Sequence, residues 1–241
     1  VINMAAKLRY MSGGQFSVPL VVRMPGGVAR PLAAQHSQRI EHTLMNVPGL
    51  RIVAPGTPQD AYWQLTQAIA ADDPVIVLEH ELLYFQKGPF DVQAEPPPMH
   101  AAALRREGPD LTLIAWQRMV TLCLEAAATL AREGVQAEVI DLRSLRPIDL
   151  PLLAASVAKT HRVLVVEEDC RFAGAGAEIA AALTETCFFE LDAPVGRVAG
   201  ADVPTPYNGA LEQQSIPDAA AVVEAARKLL RHDLAQSRER P

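Results

Sequence analysis

The stretch VPLVVRMPGGVARPLAAQHSQ, residues 18–38, is where the chain first shows the pattern of an α/β protein. Its β-branched run predicts a strand over Val18–Met24, and the Pro-Gly-Gly sequence at 25–27 predicts a turn. His36 then lies at the expected start of a short helix that runs to about Met45. A histidine at the mouth of a parallel sheet is typical of a general acid or base. An isolated histidine of this kind is also compatible with a capping or surface role.

Working outward from this stretch, strand and helix patterns alternate through both halves of the chain. In the first half, an apolar strand is predicted at Leu50–Ala54 and a buried one at Val75–Leu78. Between them, Thr57 as N-cap and Pro58 at the first helical position predict a helix to Ala70, with Ala61, Leu65, Ala68 and Ile69 on its apolar face. This alternation predicts a doubly wound, mostly parallel sheet.

The hydrophobic periodicity is lost after Glu81, where a proline-rich stretch includes Pro96-Pro97-Pro98. A second α/β series follows it. We therefore expect a first domain at residues 1–88, a linker at 89–108 and a second doubly wound domain at 109–241. The second series comprises strands at Leu111–Trp116, Val135–Leu142, Arg162–Glu167 and Val195–Ala199, and helices at Met119–Glu133, Asp149–Lys159, Ala173–Thr186 and from Ile216 to about Leu234.

Composition excludes several classes of function. Hydrophobic residues make up 49% of the 241 residues and charged residues 21%, with a net charge of −6. These values allow a buried core and offer no basic patch for nucleic acid. The longest apolar stretch, Leu111–Ala131, contains Arg118 and Glu125, so we expect no membrane span. Three scattered cysteines and no visible signal peptide favour a reducing, cytoplasmic compartment.

The chain opens inside a helix-like pattern, with no N-cap and no start methionine before Ile2. We therefore expect it to be a fragment that lacks an N-terminal segment.

Three further motifs leave alternatives open. The glycines at 174 and 176 follow a strand and open a helix, as a phosphate loop does, but the preceding acidic run favours close helix–strand packing instead. Arg143 and Arg146 can hold an anion, or can pair with Asp141, Asp149 or a neighbouring subunit. In the loop 200–208, Tyr207 and Asn208 either face a partner or close the loop.

An ordered set of segments across nearly the whole chain resembles the beta subunit of the 2-oxo acid dehydrogenase decarboxylase component, of the pyruvate dehydrogenase beta type. These segments are Tyr10–Gly14, Val18–Arg23, Gln35–Gln38, Val47–Leu50, Asp73–Val75, Cys123–Ala127, Leu142–Pro147, Gly176–Ile179, Leu191–Pro194 and Gly200–Tyr207. The resemblance implies a transketolase-like pyrimidine-binding domain, of which the chain carries the C-terminal part, followed by a transketolase C-terminal domain.

The same resemblance implies thiamine diphosphate as cofactor, with its diphosphate and Mg²⁺ held by an alpha subunit in an alpha2beta2 heterotetramer. It implies decarboxylation of a 2-oxo acid, pyruvate first, and transfer of the acyl group to the lipoyl arm of an acyltransferase core. His36 matches the family's active-site histidine, which donates or relays a proton in that transfer. Neither nucleic acid nor membrane is an expected partner.

The resemblance also carries a structural potassium site over to Leu20, Ala68, Ile69, Ala71 and Asp73. Ala71 departs from the family's acidic residue, so only its carbonyl can serve as a ligand. From the residues alone, this segment is a plain helix C-terminus.

Two departures from the family concern the active site. The family's thiamine-activating glutamate would lie upstream of Val1, so no cofactor-binding residue is assigned within the chain. The segment Thr43–Asn46 replaces aromatic residues and a second histidine, which changes the expected substrate pocket. An acetoin dehydrogenase beta subunit and a truncated, non-catalytic assembly module stay open as alternatives.

Overall fold

The computed structural model describes residues 1–28 and 31–236 and divides them into two compact units. Neither unit is one continuous piece of chain, so the units do not follow the contiguous boundaries expected from the sequence. Among the described residues, the first unit contains 1–102, 142–149 and 204–212, and the second contains 103–141, 150–203 and 213–236.

The first unit is built on a four-stranded sheet. Its strands lie side by side in the order β1 (Val21–Gly26), β3 (Val75–His80), β2 (Arg51–Val53) and β7 (Ser144–Arg146). The first three of these strands are parallel, with Val21 and Arg51 both in register with Val75, and β7 is antiparallel to β2. The elements of this unit are α1 Ala5–Met11, β1 Val21–Gly26, α2 Glu41–Met45, β2 Arg51–Val53, α3 Pro58–Ile69, β3 Val75–His80, a 3₁₀-helix at Glu81–Phe85, β7 Ser144–Arg146 and the start of α7 Gly209–Gln214.

Helix α3 covers one face of this sheet, and its start confirms the predicted cap. The Thr57 hydroxyl accepts a hydrogen bond from the Asp60 N–H at 3.1 Å, and Pro58 takes the first helical position. Leu65 and Ala68 pack with Val75 and Val77 in one apolar cluster. The predicted apolar face is wrong at Ala61 and Ile69, which are both exposed, Ile69 to 65%.

The proline-rich segment, part of the expected linker, lies along α3 and is held by side chains of that helix. The Gln59 amide exchanges two hydrogen bonds with the backbone of Asp91, at 2.6 and 3.2 Å. The Trp63 indole N–H donates to the Ala94 carbonyl, and the Gln67 amide donates to the Pro97 carbonyl. Because these three donors are spaced four residues apart, they share one face of the helix.

The second unit is built on a five-stranded sheet, which is parallel except for β4. Its strands lie side by side in the order β4 (Ala103–Arg106), β6 (Ala137–Asp141), β5 (Leu111–Ala115), β8 (Val163–Cys170) and β9 (Gly196–Gly200). Helices α4 and α8 pack on it through a core that includes Leu113, Cys123, Val139 and Val222. Two mostly parallel sheets with flanking helices confirm the predicted fold class. The elements of this unit are β4 Ala103–Arg106, β5 Leu111–Ala115, α4 Arg118–Arg132, β6 Ala137–Asp141, α5 Leu150–Thr160, β8 Val163–Cys170, α6 Ala175–Cys187, a 3₁₀-helix at Phe188–Glu190, β9 Gly196–Gly200 and α8 Ala219–Gln236.

Two local predictions were wrong. The helix expected from residue 37 begins only at Glu41, because the backbone before it is drawn toward the turn that follows β1. The second concerns residues 144–146, for which no strand was predicted: they supply β7, which pairs with Ile52 and Val53. Among the described helices, none combines the length and the apolar character that a membrane span requires.

Candidate functional site

His36 lies in a turn between β1 and α2, beside the ends of two parallel strands. Gly26 at the end of β1 is in register with His80 at the end of β3. A cleft of about 260 Å³ opens there, and the exposed His36 side chain lines it. The carboxyl ends of parallel strands are where open α/β sheets bind ligands. Other residues of the cleft are Met24, Gln38, Arg39, Glu41, Glu79 and Glu81.

The two glycines of the turn are required by close packing. A Cβ at Gly26 would lie 2.7 Å from the Gln38 carbonyl oxygen. Gly27 has a φ of +87°, and a Cβ there would lie 2.7 Å from the His80 ring. Only glycine tolerates both the positive φ and the missing space. The Pro-Gly-Gly sequence therefore brings the turn against residues 36–41, which carry the histidine.

Two carboxylates of the cleft, Glu41 and Glu79, are paired with arginines. Arg39 binds Glu41 at 2.8 Å, and their side chains are 7% and 2% exposed. Arg23 binds Glu79 through two hydrogen bonds at 2.5 and 3.0 Å. The Tyr84 hydroxyl also donates to Glu79, and burial together with that carboxylate raises the pKa of Tyr84 to about 12. Tyr84 is therefore a neutral hydrogen-bond donor at physiological pH.

A second cavity of about 340 Å³ lies on the α3 side of β3. Apolar groups such as Leu65, Val77 and Leu83 dominate its walls, and Glu79 lines both this cavity and the cleft. Sequence reasoning missed Arg39, Glu41, Glu79 and Tyr84. Charged residues directly after a buried strand were the available signal for Glu79, but its partners depend on tertiary packing.

The residues predicted to hold potassium lie around the end of α3. The Leu20 carbonyl accepts the Val75 N–H at 2.9 Å, and the Ala68 carbonyl accepts the Ala71 N–H at 3.2 Å. The Asp73 carboxylate stands 3.4 Å from Arg9 and 3.3 Å from Arg51. A carbonyl oxygen has a second lone pair for a cation, whereas two guanidinium groups compete for the Asp73 side chain. Ile69 ends the helix and is exposed.

The glycine loop of the second unit is filled by a carboxylate of the protein itself. Glu167 accepts the Gly176 N–H at 2.8 Å and pairs with Arg197 at 2.5 Å, and burial raises the pKa of its carboxyl. A Cβ at Gly174 or Gly176 would lie within 2.7 Å of Glu167. The glycines therefore serve close packing, as preferred from the sequence, and Glu167 takes the place that a phosphate would need.

The remaining sequence candidates have structural partners. Arg143 binds Asp60 at 2.7 Å, a partner that the sequence did not suggest, and Arg146 donates to the Met45 carbonyl. Asn208 accepts from the Ala210 N–H, so it closes its loop by capping α7, while Tyr207 is exposed. Within residues 1–28 and 31–236, no group of three or more His, Cys, Asp or Glu side chains can hold a metal ion.

Comparisons with known proteins agree with this architecture. Residues 1–87 match the sequence model of the transketolase pyrimidine binding domain, and residues 100–222 match that of the transketolase C-terminal domain. The split gene transketolase, solved as an inactive beta4 tetramer, superposes with a TM-score of 0.74 at 26% identity, covering 89% of this chain and 67% of that chain.

Curated relatives are more similar in sequence. The pyruvate dehydrogenase E1 component subunit beta of Porphyra purpurea is 44% identical over 95% of this chain and 70% of the relative. Mitochondrial subunit beta-2 of Oryza sativa subsp. japonica is 45% identical over 95% of this chain and 62% of its own length. The subunit of Rickettsia felis is 42% identical, with 95% and 70% covered. The chain thus spans about two thirds of the length of such relatives.

Proposed function

Because the chain belongs to the pyruvate dehydrogenase E1 beta-subunit family of transketolase-like proteins, we propose that it acts as the beta subunit of a thiamine diphosphate-dependent 2-oxo acid dehydrogenase, with pyruvate as substrate. The observation that carries the proposal is the placement of His36, exposed in a cleft at the carboxyl ends of β1 and β3. Acyl transfer to a lipoyl arm needs a mobile proton at such an open, polar site.

His36 is the proposed proton donor for that transfer. When the dithiolane of a lipoyl arm opens, one sulfur takes up the acyl group and the other leaves as a thiolate that needs a proton. An imidazole changes its protonation state near neutral pH and can supply it. A positioned acid or base of this kind contributes about 10²–10⁴ in rate. Exposure of His36 lets the arm approach from solvent.

Thiamine diphosphate, when bound, supplies the nucleophilic carbon and the electron sink for decarboxylation. The residues present fit one wall of the thiamine diphosphate site, because the cleft opens at the carboxyl ends of the strands and is lined by polar side chains. No residue of this chain is proposed to hold the diphosphate, which we assign with its Mg²⁺ to the alpha subunit. The activating glutamate is proposed to come from the part of the family's sequence that precedes the match to Val1.

A structural potassium ion is proposed at Leu20, Ala68, Ile69, Ala71 and Asp73. Support comes from the position of Ala68 and Ile69 in the last turn of α3, because the C-terminus of a helix carries partial negative charge. Because Arg9 and Arg51 contact the Asp73 carboxylate, the proposed ligands are mainly main-chain oxygens, which suit a monovalent cation.

The proposed partners are an alpha subunit, in an alpha2beta2 heterotetramer, and a lipoyl acyltransferase core. Exposed aromatic side chains support subunit contacts, since Tyr10 and Phe189 are 92% and 96% exposed. We also propose a reducing, cytoplasmic location, supported by three free cysteines. Some curated relatives are described as mitochondrial or chloroplastic, so fractionation of the native host is the test of this location.

The decisive experiment is His36→Ala in a complete beta subunit, which carries the family's upstream segment, assembled with its alpha partner. Acylation of a lipoyl domain should fall at least about tenfold while assembly is unchanged, and His100→Ala, at another exposed histidine, should leave both unchanged. Near-normal acylation by the His36 variant would remove its catalytic role.

Turnover of pyruvate, branched-chain 2-oxo acids and acetoin by the wild type separates this proposal from an acetoin dehydrogenase. Inactivity with all three would favour an assembly module.

A further inference from the structure

The segment that carries His36 lacks regular secondary structure, although Ser37 beside the histidine is buried. Residues 31–40 contain neither helix nor strand. One backbone hydrogen bond, from the Gly27 N–H to the Gln38 carbonyl, spans 3.4 Å and is long for this type of bond. Helix α2 follows with only five residues and no side-chain cap. A helix this short has little stability of its own, so other contacts must hold the segment.

Arg39 and Glu41, three and five residues after the histidine, supply such a contact. The Arg39 guanidinium donates from Nε and Nη2 to Glu41 Oε1, at 3.1 and 2.8 Å. Both side chains lie in the wall of the cleft that His36 lines, and both are almost fully buried. Two opposite charges taken out of water attract each other strongly, so separating them is costly.

Arg39 also joins this pair to the sheet. A Cβ at Gly27 would lie 3.0 Å from Arg39 Nη1 and 2.7 Å from the His80 ring, so the three residues are in close contact. His80 is buried at the end of β3, where its Nδ1 accepts the Leu82 N–H at 3.2 Å. The packing therefore runs from β3 through the glycine turn and Arg39 to Glu41 and the histidine segment.

We propose that the Arg39–Glu41 ion pair positions His36 for acyl transfer; this inference rests on the proposed function of that histidine. Arg39 and Glu41 are positioning residues, which hold the segment and do not touch the reacting atoms. Breaking the pair frees the segment from the turn after β1, and the imidazole then leaves the geometry that transfer needs. A displacement of about 1 Å costs a reaction of this kind up to about 10²-fold.

Two rates measured on the complex with the alpha subunit test the role. One is CO₂ release with ferricyanide as electron acceptor, which needs no lipoyl transfer, and the other is acylation of a lipoyl domain. Arg39→Lys and Glu41→Gln should lower acylation at least about tenfold and leave the ferricyanide rate near that of the wild type. If either single variant fails to assemble, Arg39→Met/Glu41→Met removes both charges and should show the same selective loss.

A matched control is Asp60→Asn, which breaks the Arg143–Asp60 pair. That pair is equally buried in the same unit, and neither residue lines the cleft. Its effect on the two rates should be equal, since it changes only the amount of folded enzyme. Equal loss of both rates in the Arg39 and Glu41 variants, with a wild type that acylates, overturns the positioning role. A wild type that releases CO₂ without acylating the lipoyl domain refutes the proposed function itself, and the inference with it.

Discussion

Asp60→Asn should be among the most destabilising single changes in the first unit. The Asp60 carboxylate forms an ion pair with Arg143 at 2.7 Å and accepts a hydrogen bond from the Thr57 hydroxyl at 2.6 Å, and both charged side chains are 2% exposed. Arg143 also donates to the Ala101 carbonyl at 2.8 Å and lies 6.0 Å from the centre of the Trp63 ring. An amide at position 60 keeps the shape but removes the carboxylate charge that faces the buried guanidinium.

Removing one partner of such a pair costs about 3–5 kcal/mol. With a urea m-value of about 2 kcal/mol per molar, the unfolding midpoint should fall by about 1.5–2.5 M. Tryptophan fluorescence reports the transition, because one of the two tryptophans, Trp63, lies against Arg143. The double change Asp60→Asn/Arg143→Met should recover much of the loss, since it removes the stranded charge.

The control is Glu133→Gln at the Arg227 pair, whose side chains are 38% and 43% exposed. Its midpoint should match that of the wild type, because solvent screens exposed ion pairs. A shift for Asp60→Asn no larger than that of this control would refute the reasoning. So would a double variant that is less stable than the single one.

Three further predictions concern the glycine loop and the cation site. Gly176→Ala would place a Cβ 2.5 Å from Glu167 Oε1 and should lower the free energy of unfolding in urea by about 1–3 kcal/mol. The control is Gly88→Ala, whose Cβ would have its nearest neighbour, Pro58 Cδ, at 3.5 Å. Equal stabilities of the two variants would contradict the packing role of Gly176. Burial raises the pKa of Glu167 above its ordinary value of about 4.5, so the wild type should lose stability as the pH rises from that value through the raised pKa. Glu167→Gln should flatten this part of the profile of stability against pH. An unchanged slope in the variant would count against the raised pKa. Potassium should raise the melting temperature above that in choline, by mass action, and Asp73→Ala should reduce the difference; identical melting in both salts would contradict the proposed cation.

Features with a local cause were predictable from the sequence. The apolar run Val75–Leu78 identifies a buried parallel strand wherever it occurs, and Thr57-Pro58 starts a helix by its own chemistry. His36 could be singled out because a glycine turn between a strand and a helix presents whatever follows it. The family resemblance, confirmed by both domain matches, then supplied its proposed role.

Features that depend on distant parts of the chain were not predictable. Arg143 could be seen as a cation that needs an anion, but nothing local identifies Asp60 as that anion. Glu167 was interpreted as a charge that repels phosphate, whereas it fills the helix N-terminus itself. Arg39 and Glu41 looked like an ordinary polar stretch, because burial of their charges depends on the turn after β1 and on β3.

The late position of β7 in the chain has a consequence for synthesis on the ribosome. Ser144 bonds to the Ile52 carbonyl across 92 residues, so the first sheet lacks its fourth strand until the chain has grown past Arg146. Through that interval the free edge of β2 exposes unpaired N–H and C=O groups, which favour wrong strand pairing. At about 5–20 residues per second, the wait lasts several seconds or more. A nascent chain of this protein is therefore expected to require chaperone protection before its second half is complete.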